Sequence, residues 1–263
     1  MGRLTHPLLA GVAGAVLAFL VLPILVVVPA SLNHASYIRL PPDAMSLRWY
    51  QVFVADPEWL ATLGMSTQVA LATTFLSLVL GTAAALGLER VGPTLRSTLL
   101  GLFLAPLIIP VIVIAVALYA TGRRYGLVGT PAALVAAHAL LCVPFVIINV
   151  GVSLRALDPQ LLRAAESLGA TPWRVFRTVT APGIAPGLFA GAVFAFITSF
   201  DEVVVSLFLA GIQSKTLPVK MWEVIRLEFT PVVAVASCMM LAITLALFGL
   251  VQALQAGRRP GTA

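Results

Sequence analysis

Six apolar stretches, near residues 8–30, 62–88, 99–120, 132–153, 183–210 and 231–254, run through almost the whole chain. Each matches or exceeds the roughly 20 residues that carry a helix across the hydrocarbon core of a bilayer. Few folds can accommodate them. Inside lipid, every backbone N–H and C=O must be paired within its own segment or in a closed barrel, and the short alternating segments of a barrel are missing here. The sequence therefore predicts an all-α integral membrane protein of about six transmembrane helices. Composition agrees, since only 10% of residues are charged, against about 25% in soluble domains. No linker or shift in composition interrupts residues 1–263, so a single transmembrane domain is expected. The first apolar run lacks a small-residue cleavage site before Ser31, Asn33 and His34, and it reads as a retained span.

The net charge of +6 does not point to nucleic acid, because the basic residues are scattered over short loops with no interleaved aromatics. Their distribution bears on orientation instead. With the N-terminus inside, Arg3, Arg90, Arg96, Arg155, Arg163, Arg174, Arg177, Arg258 and Arg259 fall on the inner side. Arg39, Arg48, Arg123, Arg124, Lys215, Lys220 and Arg226 fall outside. This modest bias favours cytoplasmic termini.

Several chemistries are disfavoured. Neither lysine follows a phosphate-binding glycine pattern, so the chain has no visible means of hydrolysing ATP. His6, His34 and His138 are far apart and fit no metal-ligand spacing, Cys142 and Cys238 sit singly in apolar runs, and no G-x-S-x-G elbow occurs. No metal site and no catalytic residue is expected.

Two polar segments are longer than a turn requires. The outer one, Ser31 to Leu60, carries Trp49, Tyr50 and Trp59 and is expected to hold these aromatics at the headgroup level. The inner one, Leu154 to Pro182, is richer in signals. Asp158-Pro159 and Thr171-Pro172 each supply an N-cap followed by proline at the first helical position, and Gly169 stands where a left-handed C-terminal cap ends the first helix. Two short helices are predicted, with Leu161, Leu162, Ala165 and Leu168, then Trp173, Phe176 and Val179, at apolar positions. Such a pair can enter the groove of a soluble partner or lie on the inner leaflet with its arginines toward anionic lipid.

Pro106, Pro110 and Pro144 are expected to open carbonyls within spans 3 and 4. Span 5 opens with Gly183, Gly187 and Gly191, and the four-residue step continues through Ala195 and Ser199. That ridge predicts close packing against another helix. Beyond it come Phe200, Asp201 and Glu202. Two acids within an apolar run either face a cavity or mark the point where the helix reaches the outer interface. In the first case, with Phe196 and Phe200 nearby, they suit an organic cation.

From Arg163 to Pro182 the sequence resembles the cytoplasmic Glu-Ala-Ala loop of ATP-binding-cassette importer permeases. Ala164 and Ala165 match the two alanines, Gly169 the glycine four residues on, and Pro182 the final proline. Arg163 replaces the glutamate, Val179 an isoleucine and Ala181 a leucine. The likeness extends from the span 3 prolines through Asp201-Glu202-Val203-Val204-Val205-Ser206 and Thr216-Leu217-Pro218 to the end of span 6, and is greatest to the shorter permease of spermidine/putrescine-type importers. It implies the type-1 importer permease fold in a bacterial inner membrane, with residues 155–182 as the coupling segment. Arg163, Ala164, Ala165, Glu166, Gly169, Trp173, Phe176 and Pro182 would then meet the ATPase. Implied partners are two copies of a cytoplasmic ATP-binding subunit, which hold ATP and Mg²⁺, a second homologous permease, and an extracytoplasmic solute-binding protein. This chain would bind no cofactor. Asp201 and Glu202 match the acidic pair of the polyamine subfamily, whereas Val111 stands after Pro110, where such members often carry an acid. A related non-polyamine solute, or a secondary transporter, is the alternative reading.

Overall fold

The computed structural model describes residues 5–228 and 230–256. Arg3, Arg258 and Arg259, three of the inner-side charges, lie outside the described residues. The helices in chain order are α1 (Thr5–Ser31), α2 (Arg48–Ala55), α3 (Pro57–Leu88), α4 (Pro93–Leu104), α5 (Val111–Arg124) and α6 (Pro131–Ala156). They continue with α7 (Pro159–Ser167), α8 (Pro172–Val175), α9 (Ala181–Gly183), α10 (Ala185–Phe200), α11 (Val204–Leu209), α12 (Leu217–Leu227) and α13 (Pro231–Ala256). No strand is present among the described residues; one isolated antiparallel bridge joins Asn33 and Met45.

Helices α1, α3, α6 and α13 are each long and apolar enough to cross a bilayer. Two bent pairs raise the number of spans to six if each pair crosses once. The span expected over 99–120 is one of them: Pro93–Leu107 and Val111–Arg124 meet at 93°. The cause is local. Pro106 falls in a 3₁₀ turn, Ala105–Leu107, and Pro110 becomes the N-cap of α5 with ψ near 127°. Proline has no N–H to donate, so each weakens its turn; Ala105 stays helical before Pro106, and the chain leaves the helical region at Pro110, where α5 starts. Pro144, by contrast, sits inside an uninterrupted α6.

Span 5 also departs from expectation. Pro172–Gly183 meets α10 at 67°, and α10 stops at Phe200 rather than running to residue 210. A three-residue break precedes α11. Between α8 and α9 the backbone makes one π-helical turn, Phe176–Thr180.

The chain divides into two units, one containing residues up to Ala61 with Lys220–Thr244, the other Thr62–Val219 with the C-terminal residues from Leu245. In the first unit, the Trp49 indole N–H donates to the Ala35 carbonyl at 3.1 Å, and Phe53 lies 5.5 Å from Trp59, ring centre to ring centre. Trp49 and Trp59 are both buried. Their apolar faces are used inside the unit, and Trp49 spends its donor there too. The Tyr50 and Ser31 hydroxyls are paired at 2.9 Å, and the Lys220 ammonium bridges to Glu58 above the Trp59 ring.

The second unit is built around α6. One cluster combines Val69, Ile114, Ala115, Leu134, Ala137, Leu141, Val205 and Leu209; another combines Ala85, Cys142, Val146, Val150, Ile184 and Ala195. Val146 is gripped from two sides. A Cβ on Gly81 would lie 2.6 Å from the Val146 Cβ, and one on Gly191 would lie 3.2 Å from the Val146 Cα. Contact this close lets dispersion and Cα–H contacts hold helices together where lipid removes the hydrophobic drive.

Candidate translocation and coupling sites

The small-residue ridge of span 5 faces α6. A Cβ on Gly187 would stand 2.5 Å from the Asn149 carbonyl oxygen, and one on Gly183 would collide with Leu157. Ala195 is fully buried, its carbonyl accepting from the Cys142 thiol at 3.3 Å. Ser199 ends the ridge in a polar contact with His138.

At the end of that ridge the two adjacent acids part. Asp201 is exposed, and its carboxylate makes no hydrogen bond or ion pair with the described residues. Glu202 turns inward, leaving only 7% of its side chain accessible. Its two oxygens accept the backbone N–H groups of Val205 and Ser206, each at 3.0 Å. Those N–H groups belong to the first turn of α11 and have no partner within the helix. A carboxylate there satisfies them and sits favourably against the helix dipole. Phe196 and Phe200 lie behind the acids, stacked at 5.2 Å and almost fully buried.

His138, on α6, completes the arrangement. One imidazole nitrogen, Nδ1, is 2.9 Å from the Ser199 hydroxyl, and Nε2 is 3.0 Å from the Ser206 hydroxyl and 3.6 Å from Glu202 Oε2. The ring is 1% accessible. Neither His138 nor Ser206 stood out from sequence spacing, which tested His138 only as a metal ligand. The usable signal was an ionisable side chain inside an apolar run, which seldom occurs without a partner.

The cytoplasmic helix pair is shaped by its caps. Asp158 accepts from the Gln160 N–H at 2.8 Å, and Thr171 accepts from the Arg174 N–H at 3.4 Å. At the junction, Gly169 N donates to the Glu166 carbonyl and Ala170 N to the Ala165 carbonyl. This is a Schellman motif, and it needs the left-handed φ of +77° that Gly169 adopts. The pair offers a large apolar surface. Leu168 is 88% exposed and Trp173 69%, the latter stacked on half-buried Phe176 at 5.5 Å. Arg163, Ala164, Glu166 and Pro182 are exposed around them, and Ala165 is half-buried.

Residues 77–260 match the family described as binding-protein-dependent transport system inner membrane component. The chain belongs to that family. It is a multi-pass membrane protein and a permease subunit of an ATP-binding-cassette importer, which sets aside a lone secondary transporter. Among relatives, the permease is 28% identical over 237 residues to the spermidine/putrescine transport system permease protein PotC of Haemophilus influenzae, covering 90% of this chain and 92% of that one. It is 30% identical over 220 residues to the putrescine transport system permease protein PotI of Escherichia coli, covering 81% and 78%. It is also 30% identical over 230 residues to the molybdenum transport system permease protein ModB of Mycobacterium bovis, covering 80% and 86%. Among solved structures, a chain of a bacterial transporter that imports the acidic polysaccharide alginate superposes with a TM-score of 0.74 at 11% identity, covering 98% of the permease and 96% of that chain. That likeness establishes the shared importer permease fold.

Proposed function

We propose that this permease imports a small organic cation of the polyamine class by alternating access, driven by ATPases docked on its cytoplasmic helix pair. The observation that carries the cargo class is Asp201, an exposed carboxylate with no partner among the described residues, at the break that directly follows the candidate span ending at Phe200. A carboxylate beside apolar helices needs water or a counter-charge, and a watered path used by cations supplies both. Phe196 and Phe200 back this wall of the path, and Glu202 stands beside it. The names of the PotC and PotI relatives support the same class.

The helix pair, with Leu168, Trp173 and Arg163 on its surface, suits a groove in a soluble ATPase better than a lipid surface, because a Schellman turn holds the two helices as one rigid knob. On this reading two copies of the ATPase hold ATP and Mg²⁺, a second homologous permease shares the path, and an extracytoplasmic binding protein delivers the cargo. Both termini lie in the cytoplasm of a bacterium with the chain in its inner membrane, and the chain itself performs no covalent chemistry and binds no cofactor.

A second reading, import of a non-cationic solute, is favoured by Val111, which puts no acid at the start of α5, and by the ModB relative. Uptake of radiolabelled spermidine and molybdate by cells carrying the native importer separates the two. Saturable spermidine uptake that is lost on deleting this chain supports the cation reading; molybdate uptake in its place overturns it.

A further inference from the structure

Two neighbouring acids at one helix break need not do the same job. Glu202 spends both oxygens on the N–H groups of Val205 and Ser206 and faces the His138 ring. His138 in turn reaches the Ser199 hydroxyl at the end of α10 and the Ser206 hydroxyl in the first turn of α11. Four side chains thus tie α6 to both sides of the 201–203 break. Lipid offers no water to satisfy the groups that a broken helix leaves unpaired, so the protein has to supply those partners itself. Asp201, the residue just before Glu202, makes none of these contacts and points out of the chain's interior.

We infer that His138, Ser199, Glu202 and Ser206 form a buried latch that fixes the break and aims Asp201 into the cargo path, so that Glu202 is a positioning residue and Asp201 alone meets the cation. This rests on the cation-import reading for what Asp201 does, whereas the latch itself can be tested without cargo. Glu202 acts as a hydrogen-bond acceptor that holds α11, and its charge is turned away from the path. Glutamine there keeps one acceptor oxygen but turns its NH2 toward the second N–H, so it holds α11 only in part, whereas a neutral residue at 201 loses the cation contact.

Two measurements on the intact importer test this. In the first, Asp201→Cys is combined with Cys238→Ala, and Cys142 is kept because it is fully buried. The reaction rate of the new thiol with a membrane-impermeant cationic methanethiosulfonate is then followed. Glu202→Ala and His138→Ala should each change that rate at least tenfold, with the pair together changing it no further, while Glu202→Gln, which keeps one acceptor, gives a smaller change than Glu202→Ala. Such non-additivity marks residues acting through one network. Rates untouched by either alanine, or effects that multiply, overturn the latch. In the second, the half-saturating concentration for spermidine uptake should rise at least tenfold in Asp201→Asn and by clearly less in Glu202→Gln. Equal losses in both variants make Glu202 a cargo contact and overturn its positioning role. Unchanged uptake in Asp201→Asn, with the thiol result intact, overturns the cation reading of Asp201 and leaves the latch standing.

Discussion

A single glycine decides how closely two spans approach when its missing Cβ is where the neighbouring backbone lies. At Gly187 an added methyl would meet the Asn149 carbonyl at 2.5 Å and the Ser153 hydroxyl at 2.6 Å, and backbone cannot swing aside. Overpacking typically costs about 1–3 kcal/mol. Gly187→Ala is therefore expected to lower the thermal transition of the purified permease, and Gly187→Leu to abolish assembly. Normal yield and unchanged melting of the leucine variant would remove this account. Gly81 differs, because its obstacle is a side chain: Val146 Cβ at 2.6 Å and Cγ1 at 2.7 Å. Gly81→Ala should destabilise by a similar amount, and combining it with Val146→Gly, which removes both atoms, should cost less than the two changes added together. A double variant no better than the sum of the singles would show that the two positions do not couple.

Among the elements, the cytoplasmic helix pair and the two broken spans show how capping chemistry shapes this protein. Gly169 holds φ +77°, which proline cannot adopt and other L-residues adopt only with strain. Gly169→Pro is expected to cut ATP-driven uptake at least tenfold without preventing membrane insertion, measured as transport against the amount of chain in the membrane. Full uptake would argue against the pair as the coupling element. Asp158→Ala removes the cap on the Gln160 N–H and should cost α7 about 1 kcal/mol. The measurable consequence is faster amide exchange over residues 160–164 than in the parent; equal exchange would mean the cap is dispensable. Capping logic of the same kind explains the end of span 5. α10 stops at Phe200 because Glu202 starts α11, whereas hydrophobicity continuing to Ala210 had suggested one long helix.

For the molecule as a whole, the permease presents much apolar side-chain surface outward, as on α1 with Leu17, Phe19 and Leu22, consistent with lipid or a second membrane subunit as its surroundings. Gentle detergent extraction of the tagged chain from its native membrane is expected to bring an ATPase and a second permease with it. A chain that emerges reproducibly alone from both detergent and nanodiscs would contradict the proposed assembly.

Local sequence alone was enough for the all-helical membrane class and the cap-by-cap design of residues 158–183. Each of these depends on neighbours within a few residues: apolar length against bilayer thickness, Asp158 and Thr171 against the N–H groups just ahead of them, Gly169 against its own φ. Tertiary structure decided which way the acids face and what accompanies them. Asp201 and Glu202 are adjacent in the chain and chemically alike, yet Glu202 caps α11 and meets His138, 64 positions before it, whereas Asp201 has neither contact. It also decided that Trp49 and Trp59 are buried in their own unit. Helix caps are short-range and legible in sequence, whereas the partner of a buried polar group is selected by packing between segments far apart in the chain.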